Sequence, residues 1–365
     1  MWFYLLLHGD SHARFLGTSL GRIEEHIRLD DYVSASNDLD PLHWGGGRGR
    51  EGGLTCRPHK TYPSHVLPRG CAFTEVSVVN RCLSTLAGRS RKLDGGVMFG
   101  NTPRQQWADW IKPDQDNLVD LASRGLLVQQ GGRNILVLAG ASALLAPLRK
   151  TCSCQKHPSG LLDSLALHGL AEGDISAVVL THLHAQLTPE VCAAIDDGDP
   201  PRLLFPTAHY ITGKRHWSRA LHNHPHDRAL FVRQIVRRLE STGRLILVDG
   251  ARCNELGDGW QFHYSDGYTP GQLIPEIAMP GGPVVFAGDL IPGTHWMRLD
   301  VTTANDRNPE GLVGEKERLL DHLVASGGRL VFSSDPDIAM IKVMRDRQSR
   351  YLPFDPHAAL SRLDS

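Results

Sequence analysis

Two histidines one residue apart, His182 and His184, follow directly on the apolar run Ile175–Leu180. Alternate side chains of an extended segment point the same way, so imidazoles at this spacing can converge on one ion. A bare His-x-His also arises by chance in a chain of 19 histidines, as solvent-facing side chains. The second feature is Asp289, which closes the run Val284-Val285-Phe286-Ala287-Gly288-Asp289. A buried strand ending in a glycine and a carboxylate presents a ligand at a sheet edge, or else caps a turn. Two histidines and one carboxylate make a facial triad with open positions, which suits Fe(II) or mononuclear zinc better than a closed structural site. His295, in Gly293-Thr294-His295-Trp296, offers a further donor or a pocket wall, although a loop histidine beside a tryptophan is more often at the surface.

Other reactive types have plainer readings. Cys152 and Cys154 lie near Arg149, Lys150, Lys156 and His157, which would lower a thiol pKa, but no base is placed beside them and unreactive loop thiols are expected. The segment Asn223-His224-Pro225-His226-Asp227 looks like a metal cluster, yet Asp227 is a natural N-cap for a helix over residues 227–241. The arginines of that helix alternate with Leu230, Phe231, Ile235, Val236 and Leu239, the pattern of a solvated outer face.

The elements that must position these residues are those of an ordinary globular chain: 365 residues, 41% hydrophobic, with 39 Lys+Arg against 40 Asp+Glu. A formal net charge of -1 supplies no basic field for nucleic acid or anionic lipid. The apolar stretch at residues 2–7 is too short for a membrane span or an export signal, so no membrane partner is expected. Seven scattered cysteines without Cys-x-x-Cys spacing argue against a disulfide framework and for a reduced, cytoplasmic setting. The glycine run at residues 45–53 and the prolines after it mark residues 1–91 as a mostly disordered or non-native extension, with a weak strand signal at residues 73–79.

From residue 92 onward the chain reads as α/β. Residues 125–130 and 134–138 form a hairpin about Gly131-Gly132. A helix at residues 161–166 stops at Gly169, and Ile175–Leu180 is a buried strand. Residues 203–205, 245–248 and 284–287 read as strands, residues 310–325 as a helix, and residues 329–332 as the last clear strand.

The order of these pieces resembles a metallo-β-lactamase-fold hydrolase. The resemblance spans about residues 93–344, through Thr181-His182-Leu183-His184, Gly267-Tyr268-Thr269-Pro270-Gly271, Phe286-Ala287-Gly288-Asp289 and Ser334-Asp335-Pro336. It implies an α/β four-layer αβ/βα sandwich with two mixed sheets and a metal cleft at one edge. The motif of that superfamily is His-x-His-x-Asp-His, and here Gln186 and Leu187 replace its last two ligands. Tyr268 stands for a histidine in the Gly-His-Thr-Pro-Gly turn, Ser334 for a late histidine, and Leu138 for an aspartate that supports the histidine loop. The resemblance therefore implies an eroded dinuclear centre.

Two readings follow. One is a catalytically weak relative or pseudoenzyme whose cleft, lined by His182, His184, Tyr268 and Asp289 with Gln186, Leu187 and Ser334 at the lost ligand positions, binds a small molecule or a partner. The other is a mononuclear zinc or iron enzyme on His182, His184 and Asp289, an ester or lactone hydrolase or an Fe(II) redox enzyme. Asp289 and Tyr268 would then be its catalytic groups. Either no ion or one Zn or Fe ion is expected, not a dinuclear pair.

Overall fold

Apolar residues alternate between two surfaces along the central strands, and this alternation builds the architecture. The computed structural model describes residues 80–144, 160–185 and 202–365, all within one compact unit, Thr74–Ser365. Its strands are β1 (Arg81–Ala87), β2 (Arg91–Asp94), β3 (Leu118–Leu121), β4 (Arg124–Gln130), β5 (Arg133–Leu138), β6 (Ile175–Leu180), β7 (His209–Gly213) and β8 (Leu245–Val248). They continue with β9 (Trp260–Ser265), β10 (Gln272–Ile277), β11 (Val284–Phe286), β12 (Arg329–Val331), β13 (Met340–Arg345), β14 (Tyr351–His357) and β15 (Leu363–Asp364). The helices are α1 (Gly95–Phe99), α2 (Arg104–Trp107), α3 (Gly160–Leu167), α4 (Lys214–Leu221), α5 (Arg233–Ser241) and α6 (Pro309–Ser326).

Seven strands form one sheet in the order β15-β1-β4-β5-β6-β7-β8, and six form a second in the order β14-β13-β12-β11-β10-β9. Strands β2 and β3 pair separately. In β5 and β6, Ile135, Val137, Ala177 and Val179 face the second sheet, where they meet Phe262, Leu273, Val284, Phe286 and Val331. Their neighbours Leu136, Leu138, Val178 and Leu180 face the other way, onto Leu165 of α3, Trp217 of α4 and Ile235 and Leu239 of α5. The second sheet repeats the arrangement: Ile274, Val285, Leu330 and Ile341 pack under Leu319, Leu320 and Leu323 of α6 and under Phe99, Trp107 and Trp296. Period-two burial on both faces of both sheets gives the four-layer αβ/βα sandwich.

The hairpin β4–β5, the strands β6, β8 and β11, and helices α3 and α6 lie where the sequence places them, and Gly169 takes the left-handed conformation at φ 71°. Several expectations are corrected. Strand β1 pairs with β4 along its whole length and with β15, so the folded unit begins upstream of residue 92. The strand signal at residues 73–79 and Cys152 and Cys154 lie outside the described residues. Residues 203–205 are buried without forming a strand; the strand at that point is β7, beyond Pro206. Residues 329–332 are not the last strand. The chain continues through β13 to β14, whose Pro353 and Pro356 are tolerated because β14 is an edge strand. Among the described residues no helix is long and apolar enough to cross a membrane.

The helix expected over residues 227–241 divides into a single 3-10 turn at Arg228–Leu230 and α5, with Val232 extended between them. Asp227 makes no side-chain cap. Its carboxylate, 1% exposed, accepts from Nε and Nη2 of Arg219 at 3.0 and 2.9 Å, with Arg307 Nε at 3.8 Å. A charged carboxylate spans α4 and the segment leading into α6, and Asp227→Ala would leave two arginines without it. We expect this variant to lose about 3–5 kcal/mol in urea unfolding, several times the ~1 kcal/mol of a lost helix cap. A loss near 1 kcal/mol would mean that the ion pair is not the source of the stability.

Candidate functional site

The turn after β6 is fixed through its backbone. The Thr181 N–H donates to Leu138 O at 3.0 Å, and Thr181 O accepts from the Leu273 N–H at 2.8 Å, tying β6 to the second sheet. His184 O accepts from the Ala141 N–H at 2.8 Å, and the Ala185 N–H donates to Leu230 O at 2.9 Å. Gly140 lies against this turn at φ 83°, and a Cβ there would meet His184 O at 2.8 Å, so the sequence must carry glycine at this position. Opposite, the loop holding Tyr268 is clamped from α6. The Glu315 carboxylate accepts from Ser265 Oγ at 2.6 Å and from the N–H groups of Asp266 and Gly267 at 2.9 and 3.1 Å.

Between these loops lies a cavity of about 180 Å³, lined by Arg91, His182, His184, Tyr268, Asp289 and Ser334 among others. His182 Nδ1 pairs with Thr181 Oγ1 at 2.9 Å and its Nε2 lies 3.5 Å from Asp289 Oδ2. Ser333 Oγ donates to Asp289 Oδ1 at 3.3 Å. His184 Nδ1 lies 3.4 Å from the Tyr268 hydroxyl, and its Nε2 is buried with no partner. Burial holds both imidazoles well below 6.5; repulsion from Arg91 and from a protonated His216 would add to the effect at His182, and repulsion from protonated His182 or His216 at His184. Burial and the charge of Asp289 push the Tyr268 phenol well above 10. At neutral pH the two imidazoles and the phenol are therefore neutral, and they share the cavity with Asp289 and Arg91.

Two of these features escaped the sequence. Arg91 starts β2, inside the segment expected to be extension, and its Nη2 donates to Ser334 Oγ at 3.0 Å. Its Nε is buried without a partner, and among the described residues no carboxylate lies within ion-pair distance of the guanidinium. His216 comes from α4, immediately after β7. Its Nε2 accepts from the Leu183 N–H at 2.8 Å, so its Nδ1 carries the proton and donates to Pro270 O at 3.0 Å. With both nitrogens engaged, His216 positions the turn and has no lone pair for a metal. Neither residue lies in a recognisable motif; only the fold brings them to the cleft.

The expected site residues assemble incompletely. His182, His184, Tyr268, Asp289 and Ser334 line one cavity, whereas Gln186 and Leu187 lie outside the described residues. His295 is not in the lining; it stacks on Trp110 with ring centroids 5.6 Å apart and planes within 10°. The residues do not fit the dinuclear centre that the fold implies: Ser334 is a hydroxyl engaged by a guanidinium, and Tyr268 is a protonated phenol. Nor do the donor atoms of His182, His184 and Asp289 all come within 4.8 Å of one another. Among the described residues only His263, Glu276 and His322 form such a group.

The neutral state of His216 carries a pH signature. Burial, opposed by its bond to Pro270, lowers its pKa to about 4. The unfolded imidazole, near 6.5, binds protons over the interval in which the folded one does not. This stabilisation is full above pH 6.5 and is lost as pH falls toward 4, a change of about 3 kcal/mol. Urea midpoints measured from pH 7 to 4.5 should fall in the native protein and fall less steeply in His216→Asn. An equal slope in the two would place the effect elsewhere.

No protein-family model and no curated protein matches this sequence. Solved structures match over three quarters of the chain. A probable metal-dependent hydrolase from Staphylococcus aureus superposes with a TM-score of 0.61 at 22% identity, covering 75% of this chain and 97% of its own. A hydrolase in the β-lactamase superfamily follows at 0.58 and 18%, covering 76% and 94%. A dizinc quorum-quenching lactonase in complex with a product gives 0.55 and 17%, covering 74% and 93%. The four layers, the strand-end cleft and these superpositions agree: this chain has the metallo-β-lactamase fold.

Proposed function

We propose that the cleft binds a small anionic molecule and does not perform two-metal hydrolysis, so that the protein is a pseudoenzyme of the hydrolase fold. The observation that carries this reading is Arg91, a guanidinium lining the cavity, bonded to Ser334 and, among the described residues, without a carboxylate partner. A fixed positive charge there repels a divalent cation and attracts a carboxylate or phosphate, which a guanidinium holds through paired N–H donors. The neutral Tyr268 hydroxyl and the neutral histidines supply further hydrogen bonds without added charge. A cavity of about 180 Å³ is smaller than the ~300–1,000 Å³ of drug-sized pockets, which points to a compact ligand.

One observation favours a second reading, the mononuclear enzyme. His184 Nε2 is buried without a partner, and an ion would satisfy it. His182, His184 and Asp289 would hold that ion after a small convergence of side chains, and the ion would supply Lewis-acid activation of water or iron redox chemistry.

The two readings separate in one set of measurements. Calorimetric titration with inorganic phosphate and with acetate should show binding that weakens at least tenfold in Arg91→Met. The zinc and iron content of loaded protein should not change in His182→Ala/His184→Ala. Loss of an equivalent of metal in that double variant, together with loss of ester or lactone turnover, would establish the mononuclear enzyme. Failure of both anions to bind the native protein would overturn the proposal.

A further inference from the structure

We propose that His263, Glu276 and His322 form a divalent transition-metal site on the outer face of the second sheet, separate from the cleft and independent of the function proposed for it. His263 Nε2 and His322 Nε2 lie 2.7 and 2.8 Å from the same oxygen, Oε2 of Glu276. The ring centroids are 5.4 Å apart with planes inclined at 55°. The carboxylate is 12% exposed and the two imidazoles are half-buried, so the group is sheltered yet open to an ion from solvent.

The fold supplies these residues from rigid elements. On β9, His263 lies opposite Ile274 of β10, and Glu276 is two residues further along β10 on the same face. That face is the one covered by α6, because Ile274 belongs to the cluster with Leu319, Leu320 and Leu323. His322 lies between these last leucines in sequence and reaches down to Glu276. Helix α6 is held over the sheet by that packing and by the bonds of Glu315 to Ser265, Asp266 and Gly267. Donors held by packed elements need little reorganisation to close on an ion.

Two imidazoles and one carboxylate with a fourth position open to water are a tetrahedral donor set suited to Zn²⁺ or Co²⁺ and poor for the oxygen-seeking Ca²⁺ and Mg²⁺. Without an ion, both Nε2–H groups donate to one carboxylate oxygen, which is a stable arrangement in itself. Coordination needs each Nε2 lone pair, so a neutral imidazole moves its proton to Nδ1 and an imidazolium releases one.

The full chain titrated with zinc chloride should bind one equivalent and melt at a higher temperature. The same equivalent should remain in His182→Ala/His184→Ala and be lost, or weakened at least a hundredfold, in His322→Ala. Glu276→Gln, which keeps the side-chain shape, should weaken it comparably, and Co²⁺ should give a tetrahedral visible band in the native protein but not in His322→Ala. Half-exposed His322 leaves no large cavity when truncated, so that variant tests the site without unfolding the protein. Absence of zinc binding, or binding abolished by the cleft substitutions and untouched by His322→Ala, would overturn this site. Both results are independent of whether phosphate or acetate occupies the cleft.

Discussion

The strand β6 ends where its ladder partners end, and the backbone beyond it must find new hydrogen-bond partners or remain buried and unpaired. The turn from Thr181 to Ala185 meets this constraint by bonding to β5, to the Ala141 turn, to β10, to Leu230 and to the His216 ring. Unpaired buried amides cost about 1–3 kcal/mol each, so these bonds fix the turn whatever its side chains do. His182 and His184 point into the cleft because the backbone beneath them has no other low-energy course. Leu138 is consistent with that: it faces the helix-side core, and the turn is held by main-chain partners and His216.

The charge pattern of the cleft follows from the same economy of contacts. In a two-metal site the ions neutralise inward-facing carboxylates. Here the inward residues are neutral except for Asp289 and Arg91, and Asp289 is already engaged by Ser333 and lies near His182. A guanidinium is a permanent cation that needs no ligand field, and it meets an anion through directional N–H donors. On the proposed reading, such a pocket would favour a small anion over a pair of metal ions.

How much of this was legible in the sequence depends on whether neighbours along the chain or across the fold decide it. The β4–β5 hairpin, β6, β11 and α6 show their periodicity directly, because each is long or apolar enough for burial to dominate. Strand β1 does not: its Arg81, Cys82 and Ser84 are placed by pairing with β4 and β15, and it follows a segment rich in glycine and proline. Strand β7 is short, begins with an exposed histidine and ends in glycine, so no local pattern marks it. His182, His184 and Asp289 show in the sequence by spacing, Tyr268 and Ser334 only through the family resemblance, and the structure brings all five to one cavity. Arg91 and His216 do not show there, since their roles come from the bond of Arg91 to Ser334 across 243 residues and from α4 beginning at the end of β7.

The His263–Glu276–His322 group shows the same limit in a sharper form. Its members are separated by 13 and 46 residues, and no motif spacing links them. Strand register fixes the first two, and the rotation of an amphipathic helix fixes the third. The histidine pair that announces itself in the sequence does not bring both its donors and the Asp289 carboxylate within 4.8 Å of one another, while the set that does so among the described residues is assembled by tertiary structure alone. Metal measured on this protein therefore identifies a cofactor of the cleft only when it responds to substitutions in the cleft. Helix α6 carries both His322 and Glu315, so an ion on the outer face would brace the helix that clamps the Tyr268 loop, stabilising the cleft without taking part in its chemistry.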